Sequence, residues 1–438
     1  ALAQAVKERA AYWKQRGKQK ALCEGDSNTQ FFHAHATQRM RTNKIKVVEV
    51  DGTRVTAHEG KIAALTSHYR KLLGQDGFST FSFDLCSLYH DRRFATPQLT
   101  ADFTESEALQ AIRSMNSSSA PGPDGFGPSF YKAAWGTIKG EVMQFLQGFF
   151  DGSVDLKRIN RSYMVLLPKK PGATSVDAFR PICLQNCSVK IGAKLLTTRL
   201  QREISGLIDL DQTGFLKGRT IAENFVYAAE LLQVCHKRKT PTLVLKLDFA
   251  KAFDTVNWSC CLMAVMEARG FDARWCSWVR RLLDTSHTAV LVNGCPGPWF
   301  TCKRGLRQGD PMSPYLFLLV ADVLQALIKY DNSVRNPLDH STTCPVLQYA
   351  DDTLILMKGD LIEVERLRSL LDQFSAATGL HINYHKSTAV PMHMDEEDIP
   401  ACISALGCNR GTFPQTYLGL PLSCDKLRLS AFAPYICK

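Results

Sequence analysis

The feature of this sequence that most constrains its fold is a pair of adjacent acidic residues, Asp351 and Asp352, set between two apolar runs. The flanking segments, VLQYA and TLILM, have the composition of buried β-strands. A two-residue acidic interruption between such runs predicts a hairpin whose tip exposes both carboxylates. Asp248 closes a third apolar strand pattern, TPTLVLKLD at 240–248. The sequence therefore places three carboxylates at the ends of apolar strands.

Each of these carboxylates has an ordinary explanation on its own, because an Asp at a strand end is most often a turn or capping residue. The adjacent pair is harder to explain in this way, since like charges at a tight turn repel one another. If the fold brings Asp248 beside Asp351 and Asp352, the shared pocket is stable only with bound protons or a cation. Oxygen ligands without His or Cys favour Mg²⁺ or Mn²⁺. Two such ions, about 3.5–4 Å apart, are suited to in-line displacement at phosphorus.

The distribution of charge favours a polyanionic partner. The 438 residues include 53 Lys and Arg against 42 Asp and Glu, a formal net charge of +11. Residues 1–50 hold 10 basic and 4 acidic residues, and residues 157–204 hold 10 basic and 2 acidic residues. A single charged run is usually a solvated helix face. Two concentrated runs favour a surface that contacts a phosphate backbone.

The composition excludes several classes of protein. A charged fraction of 22% and an apolar fraction of 45% exclude a disordered, collagen-like or coiled-coil chain. The 15 Cys are scattered without a Cys-x-x-Cys pair, which favours reduced thiols in an intracellular protein over disulfides or a zinc site. The N-terminal segment lacks the pattern of a secretory signal. The longest apolar stretch, 312–328, contains Asp322 and Gln325 and predicts a buried helix rather than a membrane span.

Strand and helix patterns alternate along the chain, which predicts a mixed fold of the α/β or α+β class. Residues 75–98 lack clear periodicity and predict a linker. The clearest elements are a hairpin at the Asp51-Gly52 turn, a helix over 59–74, a helix after the capping box TESE at 104–107, a strand over 161–170 and a hairpin over 287–305.

Three motifs carry a resemblance to a known family. YADD at 349–352, LDFAKAFDTVNW at 247–258 and GLRQGDPMSPYLF at 305–317 resemble the palm motifs of reverse transcriptases, and their details resemble plant non-LTR (LINE-type) retrotransposons. Six further segments are similar to that family: SNTQFFHAHATQRMRTNKI at 27–45, APGPDGF at 120–126, PKK…FRPICL at 168–184, DQTGFLKGR at 211–219, TGLHINYHKS at 378–387 and YLGLPL at 417–422.

The resemblance implies an α+β right-hand polymerase with fingers and palm, an antiparallel palm sheet flanked by helices, and a thumb that is largely missing. The implied regions are a basic N-terminal extension and linker at 1–98, fingers at 99–239, a palm at 240–422 and the truncated start of a thumb or connection at 423–438, with the reverse transcriptase domain at 161–422. We expect no preceding endonuclease domain and no Cys/His knuckle, which would limit processivity and autonomous retrotransposition.

The resemblance also implies roles for the carboxylates. Asp248 and Asp351 match the direct metal ligands, Asp352 matches the third carboxylate, and the Phe249 carbonyl matches a further ligand. The implied cofactor is Mg²⁺ or Mn²⁺, as two ions that activate the primer 3′-hydroxyl and stabilise the pyrophosphate leaving group.

Basic residues match family positions that contact phosphate. Arg180, with Lys169 or Lys170, is similar to the fingers residues that grip the triphosphate, and a guanidinium suits that task because it binds phosphate oxygens bidentately. Lys386 matches the position of a general acid for pyrophosphate. A surface contact to phosphate is an equal alternative for Lys386.

Three more residues match positions around the incoming nucleotide. Phe253 falls where the family keeps an aromatic steric gate, whose ring would clash with a 2′-hydroxyl and so select dNTPs. Without the motif, Phe253 would be interpreted as a core aromatic. Gln308 and Gly309 match the motif that packs against nucleotide and template, where Gly permits close backbone approach. Cys183 departs from the family pattern, which has Ser at that position.

These features predict an RNA-directed DNA polymerase that extends a DNA 3′-hydroxyl on an RNA template with dNTPs. The expected partners are the RNA template and the DNA primer, with no membrane, in a nuclear or cytoplasmic ribonucleoprotein; the oligomeric state stays open. An intron maturase-like enzyme and an RNA-templated RNA polymerase are alternatives, and Phe253 argues against the latter. A non-catalytic nucleic-acid-binding remnant is a third alternative, which the retained carboxylates disfavour.

Overall fold

The computed structural model describes residues 37–92, 97–425 and 427. The predicted motif at 27–45 and the thumb segment at 423–438 therefore lie partly outside the described residues. The helices are α1 His58–Leu73, α2 Leu85–Leu88, α3 Glu105–Ser114, α4 Pro128–Ala133, α5 Trp135–Asp151, α6 Cys187–Leu207, α7 Ile221–Arg238, α8 Ala252–Thr255, α9 Met263–Ala268, α10 Ala273–Asp284, α11 Ser313–Asp331, α12 Leu361–Thr378 and α13 Ile399–Leu406.

The strands form four sheets. They are β1 Val48–Val50, β2 Thr53–Val55, β3 Arg161–Pro168, β4 Phe179–Gln185, β5 Thr242–Leu247, β6 His287–Val292, β7 Cys295–Thr301, β8 Val346–Tyr349, β9 Asp352–Lys358, β10 Thr388–Met392, β11 Asn409–Arg410, β12 Gln415–Tyr417 and β13 Leu420–Leu422. The sheet orders are β1-β2, β4-β3-β6-β7, β11-β10-β5-β9-β8 and β12-β13.

The five-stranded sheet holds the three strand ends that carry the carboxylates. β5 lies at its centre and pairs antiparallel with β9 on one side and with β10 on the other. β9 in turn pairs antiparallel with β8. Only the short edge pairing of β10 with β11 is parallel among the described strands of this sheet. This mixed helix and sheet architecture confirms the predicted α+β class with an antiparallel palm sheet.

The five-stranded sheet is buried on both faces, which explains why its central strand reads as a continuous apolar run. Leu243, Leu245 and Leu247 belong to the core that contains α11 and α12. Val244 faces the other way, into a cluster with the helix α7 and the hairpin β12-β13. The period of two along the strand therefore divides its side chains between two cores.

The four-stranded sheet is held by helix α1 on one face. Leu65 and Tyr69 of α1 share a core cluster with Met164 of β3, Val290 of β6 and Phe300 of β7. β3 pairs antiparallel with β4 and parallel with β6. Residues of the loop between β3 and β4 line the same cavity as Asp248, which follows β5.

Helix α11 is the central core helix. Its side chains from Leu316 to Ile328 are all buried, including Asp322, which pairs with the buried Arg269. In the described part of the chain, α11 is the one helix long and apolar enough to cross a membrane by length and composition. Its burial among other helices agrees with the prediction of a buried helix over 312–328.

Local predictions are confirmed at several places. Thr104 and Glu107 form the predicted capping box at the start of α3. The hairpin at Asp51-Gly52 and the hairpin over 287–305 both form. The predicted linker at 75–98 contains the short helix α2 among its described residues. The proposed domain boundaries stay predictions.

Candidate active site

The register of the five-stranded sheet brings the three predicted carboxylates together. Leu247, the last residue of β5, pairs with Thr353 of β9, so Asp248 follows opposite Asp352. Asp352 itself pairs with Tyr349 across the tight turn between β8 and β9, and Asp351 occupies the tip of that turn. The fold therefore brings Asp248 beside Asp351 and Asp352, which is the condition that the sequence analysis set for a shared cation site.

Burial and neighbouring charge raise the pKa of two of these carboxyls, Asp351 and Asp352. Burial raises the pKa of the Asp351 carboxyl, and the neighbouring Asp352 and Asp248 carboxylates raise it further, while Arg180 opposes them. Burial also raises the pKa of Asp352, with Lys246 opposing and Asp248 adding to the shift. Three adjacent carboxylates, two of which have a raised pKa, form a set of oxygen donors that fits divalent cations.

A buried amide supports the turn that carries Asp351. Ala350 has a φ of +56°, a left-handed conformation that is unusual for a residue with a side chain. Gln212 Oε1 accepts a hydrogen bond from the Ala350 N–H at 2.9 Å, and Gln212 Nε2 donates to the Ala350 carbonyl at 3.3 Å. Gln212 lies in the DQTGFLKGR motif, which the sequence associated with the fingers without predicting this contact.

A cavity of about 550 Å³ opens beside the carboxylates and contains most of the predicted site. The predicted residues that line it are Lys169, Arg180, Asp248, Phe249, Phe253, Gln308, Gly309 and Asp351. Cations from the β3–β4 region therefore face carboxylates from the five-stranded sheet. This combination suits a ligand that carries phosphate groups and divalent cations together.

Phe253 is half-buried at the wall of this cavity. Its ring lies parallel to that of Phe317 on helix α11, with centroids 4.6 Å apart and planes 13° apart. The edge of Phe215 approaches it from another side, at 6.5 Å between centroids. The ring is thus supported by the core while one part of it lines the cavity. Phe253 is therefore packed against the core and also forms part of the cavity wall, and its predicted role as a steric gate stays a prediction.

Gly309 requires a residue without a side chain. Its φ is +108°, and a Cβ at this position would lie 2.9 Å from the carbonyl oxygen of Cys183. The Cys183 N–H donates to the Gln308 carbonyl at 2.8 Å, so the loop before α11 is joined to strand β4. The close approach that the sequence predicted for Gly309 is therefore an approach to β4 of the same chain.

Three predicted residues lie outside the lining of the cavity. Asp352 is the first residue of β9, next to the lining residue Asp351, and Lys170 is exposed on the β3–β4 loop beside Lys169. Lys386 is exposed in a turn that is hydrogen-bonded to the backbone of Asp248. The Asn383 N–H donates to the Asp248 carbonyl at 2.7 Å, and the Ser387 hydroxyl oxygen accepts from the Asp248 N–H at 3.0 Å. The roles predicted for these lysines stay predictions; Lys169 lines the cavity and Lys170 does not.

The structure adds cavity residues that sequence reasoning missed. Asp177 of the β3–β4 loop forms an ion pair with Lys251, which follows β5, and lies 3.4 Å from His68 of helix α1. Lys169 Nζ donates to the backbone carbonyl of Asp177 at 3.1 Å. Lys251 stands within the motif LDFAKAFDTVNW, which could have drawn attention to it. Nothing in the sequence pattern marks His68 or Asp177.

Asp254 is a second acidic residue of the cavity that the sequence did not single out. Its carboxyl is buried, which raises its pKa to about 6, while Lys251, Lys169 and a hydrogen bond from Gln308 oppose the shift. The neighbouring backbone is joined to the loop before α11, since the Leu306 N–H donates to the Phe253 carbonyl at 2.6 Å. Asp254 therefore connects the palm motif to Gln308.

Comparison with known proteins gives a consistent family assignment. The model of the family described as "Reverse transcriptase (RNA-dependent DNA polymerase)" matches residues 167–422. An uncharacterized 149 kDa protein of transposon TX1 from Xenopus laevis is 27% identical over 381 residues, which is 86% of this chain and 29% of that protein. The Pol polyprotein of the type-2 retrotransposable element R2DM from Drosophila melanogaster is 27% identical over 337 residues, 74% of this chain and 29% of its own length.

Among solved structures, apo telomerase from Candida tropicalis is similar at a TM-score of 0.45 and 12% identity, covering 70% of this chain and 55% of the telomerase chain. The match to each of the two retrotransposon relatives covers less than a third of that relative's length. The family model covers more than half of the chain and includes the carboxylates, the cavity and the β3–β4 loop. This chain belongs to the reverse transcriptase (RNA-dependent DNA polymerase) family and carries the reverse transcriptase domain of a non-LTR retrotransposon.

Proposed function

We propose that this chain is an RNA-directed DNA polymerase of a plant LINE-type retrotransposon, which extends a DNA 3′-hydroxyl on an RNA template with dNTPs. The observation that carries the proposal is the convergence of Asp248, Asp351 and Asp352 at one end of the five-stranded sheet, facing Lys169 and Arg180 across a shared cavity. Family membership supports dependence on a divalent cation and on nucleic acid and nucleotide substrates.

Asp248, Asp351 and Asp352 would hold two Mg²⁺ ions, with the Phe249 carbonyl as a further ligand. The donor set fits, because it consists of oxygen atoms and because burial, and after it neighbouring negative charge, raises the pKa of Asp351 and Asp352. When bound, two such ions supply Lewis-acid stabilisation of the attacking and leaving oxygens. Gln212 holds the turn that carries Asp351, and this sets the position of the Asp351 carboxylate relative to the primer terminus.

The remaining residues of the cavity position the nucleotide. Arg180 binds triphosphate oxygens through its guanidinium fork, and Lys169 adds a second positive charge. Phe253 lies beneath the sugar and excludes a 2′-hydroxyl, while the loop at Gly309 packs near the base. Lys386, in the turn attached to Asp248, is the proposed source of a proton for pyrophosphate.

Primer extension tests the proposed activity directly. The purified chain is given a DNA primer annealed to an RNA template, dNTPs and Mg²⁺, and is compared with Asp351→Asn and with the exposed control Asp151→Asn. We expect product from the wild type and from Asp151→Asn, and none from Asp351→Asn. Binding to the same template-primer is measured in parallel and should be similar in all three.

The parallel binding measurement separates the enzyme from a non-catalytic nucleic-acid-binding remnant. Template binding without any extension by the wild type would favour the remnant. Binding should weaken steeply with added salt, because phosphate contacts release counterions. Replacing the RNA template by DNA, dNTPs by rNTPs, and Mg²⁺ by Mn²⁺ in the same reaction tests the proposed substrates and cofactor one at a time.

The plant origin of the element has separate support. An uncharacterized mitochondrial protein of Arabidopsis thaliana is 54% identical over 39 residues, although this covers 9% of the chain. The animal relatives are 27% identical over much longer segments.

The proposed activity also predicts a cellular location. Primer extension on chromosomal DNA would require a nuclear ribonucleoprotein, with cytoplasmic assembly on the RNA. Fractionation of plant cells that express the tagged chain tests this location, and exclusive recovery from mitochondria or chloroplasts would contradict it.

A further inference from the structure

A second group of possible metal ligands lies far from the catalytic carboxylates. His236 stands in the last turn of α7, and Cys424 and Asp425 follow strand β13. A ring nitrogen of His236, the sulfur of Cys424 and a carboxylate oxygen of Asp425 lie within 4.8 Å of one another. No sequence pattern predicts this group, because 188 positions separate His236 from Cys424.

The orientation of His236 suits a metal ligand. Its Nε2 lies 3.5 Å from Asp425 Oδ1, on the side where Cys424 and Asp425 stand. Its Nδ1 lies 3.0 Å from Nε2 of His393, the residue that follows β10. A ligating histidine usually makes a hydrogen bond through its other ring nitrogen, which sets the tautomer and the direction of the ring. His393 is placed to accept that hydrogen bond.

The donor types favour a particular cation. A thiol sulfur, an imidazole nitrogen and a carboxylate oxygen together select Zn²⁺ or a similar transition metal over Mg²⁺. Cys424 Sγ lies 3.9 Å from Asp425 Oδ2, a separation that side-chain rotation can reduce to that of neighbouring ligands of one ion. The C-terminus of α7 adds a partial negative charge that favours a cation.

From these contacts we infer that His236, Cys424 and Asp425 form a zinc site, with His393 as the positioning residue for His236. The site has room for water as a fourth ligand, since Asp425 is largely exposed. It lies at the end of β10 opposite to Asp248, about 20 Å away along the strand, and so takes no part in phosphoryl transfer. Its effect is to attach the segment after β13 to α7 and β10.

Cobalt substitution tests the site in the whole chain. The metal-stripped protein is titrated with Co²⁺ in excess Mg²⁺, which occupies the catalytic carboxylates. We expect one equivalent of Co²⁺ to produce a sulfur-to-cobalt absorption band and intense visible bands of a tetrahedral site, and Zn²⁺ to displace it. Zn²⁺ should also raise the Tm of the wild type.

Variants assign the spectrum to these residues. Cys424→Ser and His236→Ala should each lose the sulfur-to-cobalt band or weaken metal binding at least tenfold, while the exposed control Cys260→Ser and the catalytic variant Asp351→Asn retain both. His393→Ala should weaken Zn²⁺ binding about 10- to 100-fold while the sulfur-to-cobalt band is kept at saturation. Absence of the band in the wild type, or an unchanged band in Cys424→Ser, would overturn the inference.

Discussion

The side-chain amide of Gln212 hydrogen-bonds to both polar groups of Ala350, accepting from its N–H at 2.9 Å and donating to its carbonyl at 3.3 Å. Gln212 is fully buried, and Ala350 has a positive φ directly before Asp351. A left-handed conformation in a non-glycine residue costs about 1–3 kcal/mol and persists only where the surroundings hold it. The direction of Asp351 therefore depends on a residue about 140 positions earlier in the chain.

Gln212→Leu should lower kcat for primer extension by about 10- to 100-fold, because a small displacement of a catalytic group has effects of that order. Leu has nearly the same volume but leaves both groups of Ala350 without their partner. Template-primer affinity should stay within a factor of two of the wild type. The exposed Gln233→Leu on helix α7 is the matched control. A variant with reduced Tm but unchanged kcat would show that Gln212 is a structural residue only.

The pKa shifts of the carboxylates predict a pH dependence of stability. The pKa values of Asp351 and Asp352 are raised above 3.8 by burial first and by neighbouring charge second. In the window between 3.8 and the raised values, the metal-free folded protein binds protons that the unfolded chain has released. Stability of the metal-free protein should therefore fall as pH rises through this window and stay lower at neutral pH.

Asp351→Asn should consequently raise the Tm of the metal-free protein by about 1–3 °C at neutral pH, and this gain should shrink as pH approaches 4. Thermal unfolding in the presence of a chelator measures the effect, with Asp151→Asn as the control of equal charge. Adding Mg²⁺ should raise the Tm of the wild type more than that of Asp351→Asn. An Asp351→Asn variant that is less stable than the wild type in chelator would contradict the proposed repulsion.

The ion pair of Asp177 with Lys251 predicts an effect on nucleotide affinity. The Lys251 hydrogen bond lowers the pKa of the Asp177 carboxyl, which keeps it charged inside the cavity where a triphosphate would enter. Both partners are partly exposed, so the pair contributes at most about 1 kcal/mol. Displacing it on nucleotide binding has a corresponding cost.

Asp177→Asn should therefore lower the KM for dNTPs by about two- to fivefold without a matching change in kcat. Steady-state extension at varied dNTP concentration measures both constants. Asp76→Asn, which breaks the exposed ion pair with Lys303, provides the control for loss of a surface salt bridge. A raised KM in Asp177→Asn would mean that Asp177 helps to hold the nucleotide rather than competing with it.

The stacking of Phe253 on Phe317 predicts the consequence of removing the ring. Phe253→Val should increase incorporation of rNTPs relative to dNTPs by at least about tenfold, since the space beneath the sugar then admits a 2′-hydroxyl. The ratio of kcat/KM for matched dNTP and rNTP substrates measures it. Phe145→Val, a partly buried aromatic of helix α5, controls for a general loss of packing. Unchanged selectivity in Phe253→Val would assign Phe253 to the core alone.

Much of the local structure was predictable from the sequence, because it follows from short-range patterns. The capping box at Thr104 and Glu107, the continuous apolar run of β5 and the tight turn before Asp352 are each encoded within a few residues. The resemblance of ordered motifs then indicated the family and most of the residues that line the cavity. These features depend on residue type and spacing alone.

The sequence by itself determined that apolar strands end in carboxylates and that basic segments accompany them. The tertiary structure alone decided that Asp248 lies opposite Asp352, that Gln212 supports Ala350, that Asp177 reaches Lys251, and that His236 meets Cys424. The physical reason is that each of these contacts joins segments between 74 and 188 residues apart in sequence. Strand register and helix packing set such distances, and no local pattern records them.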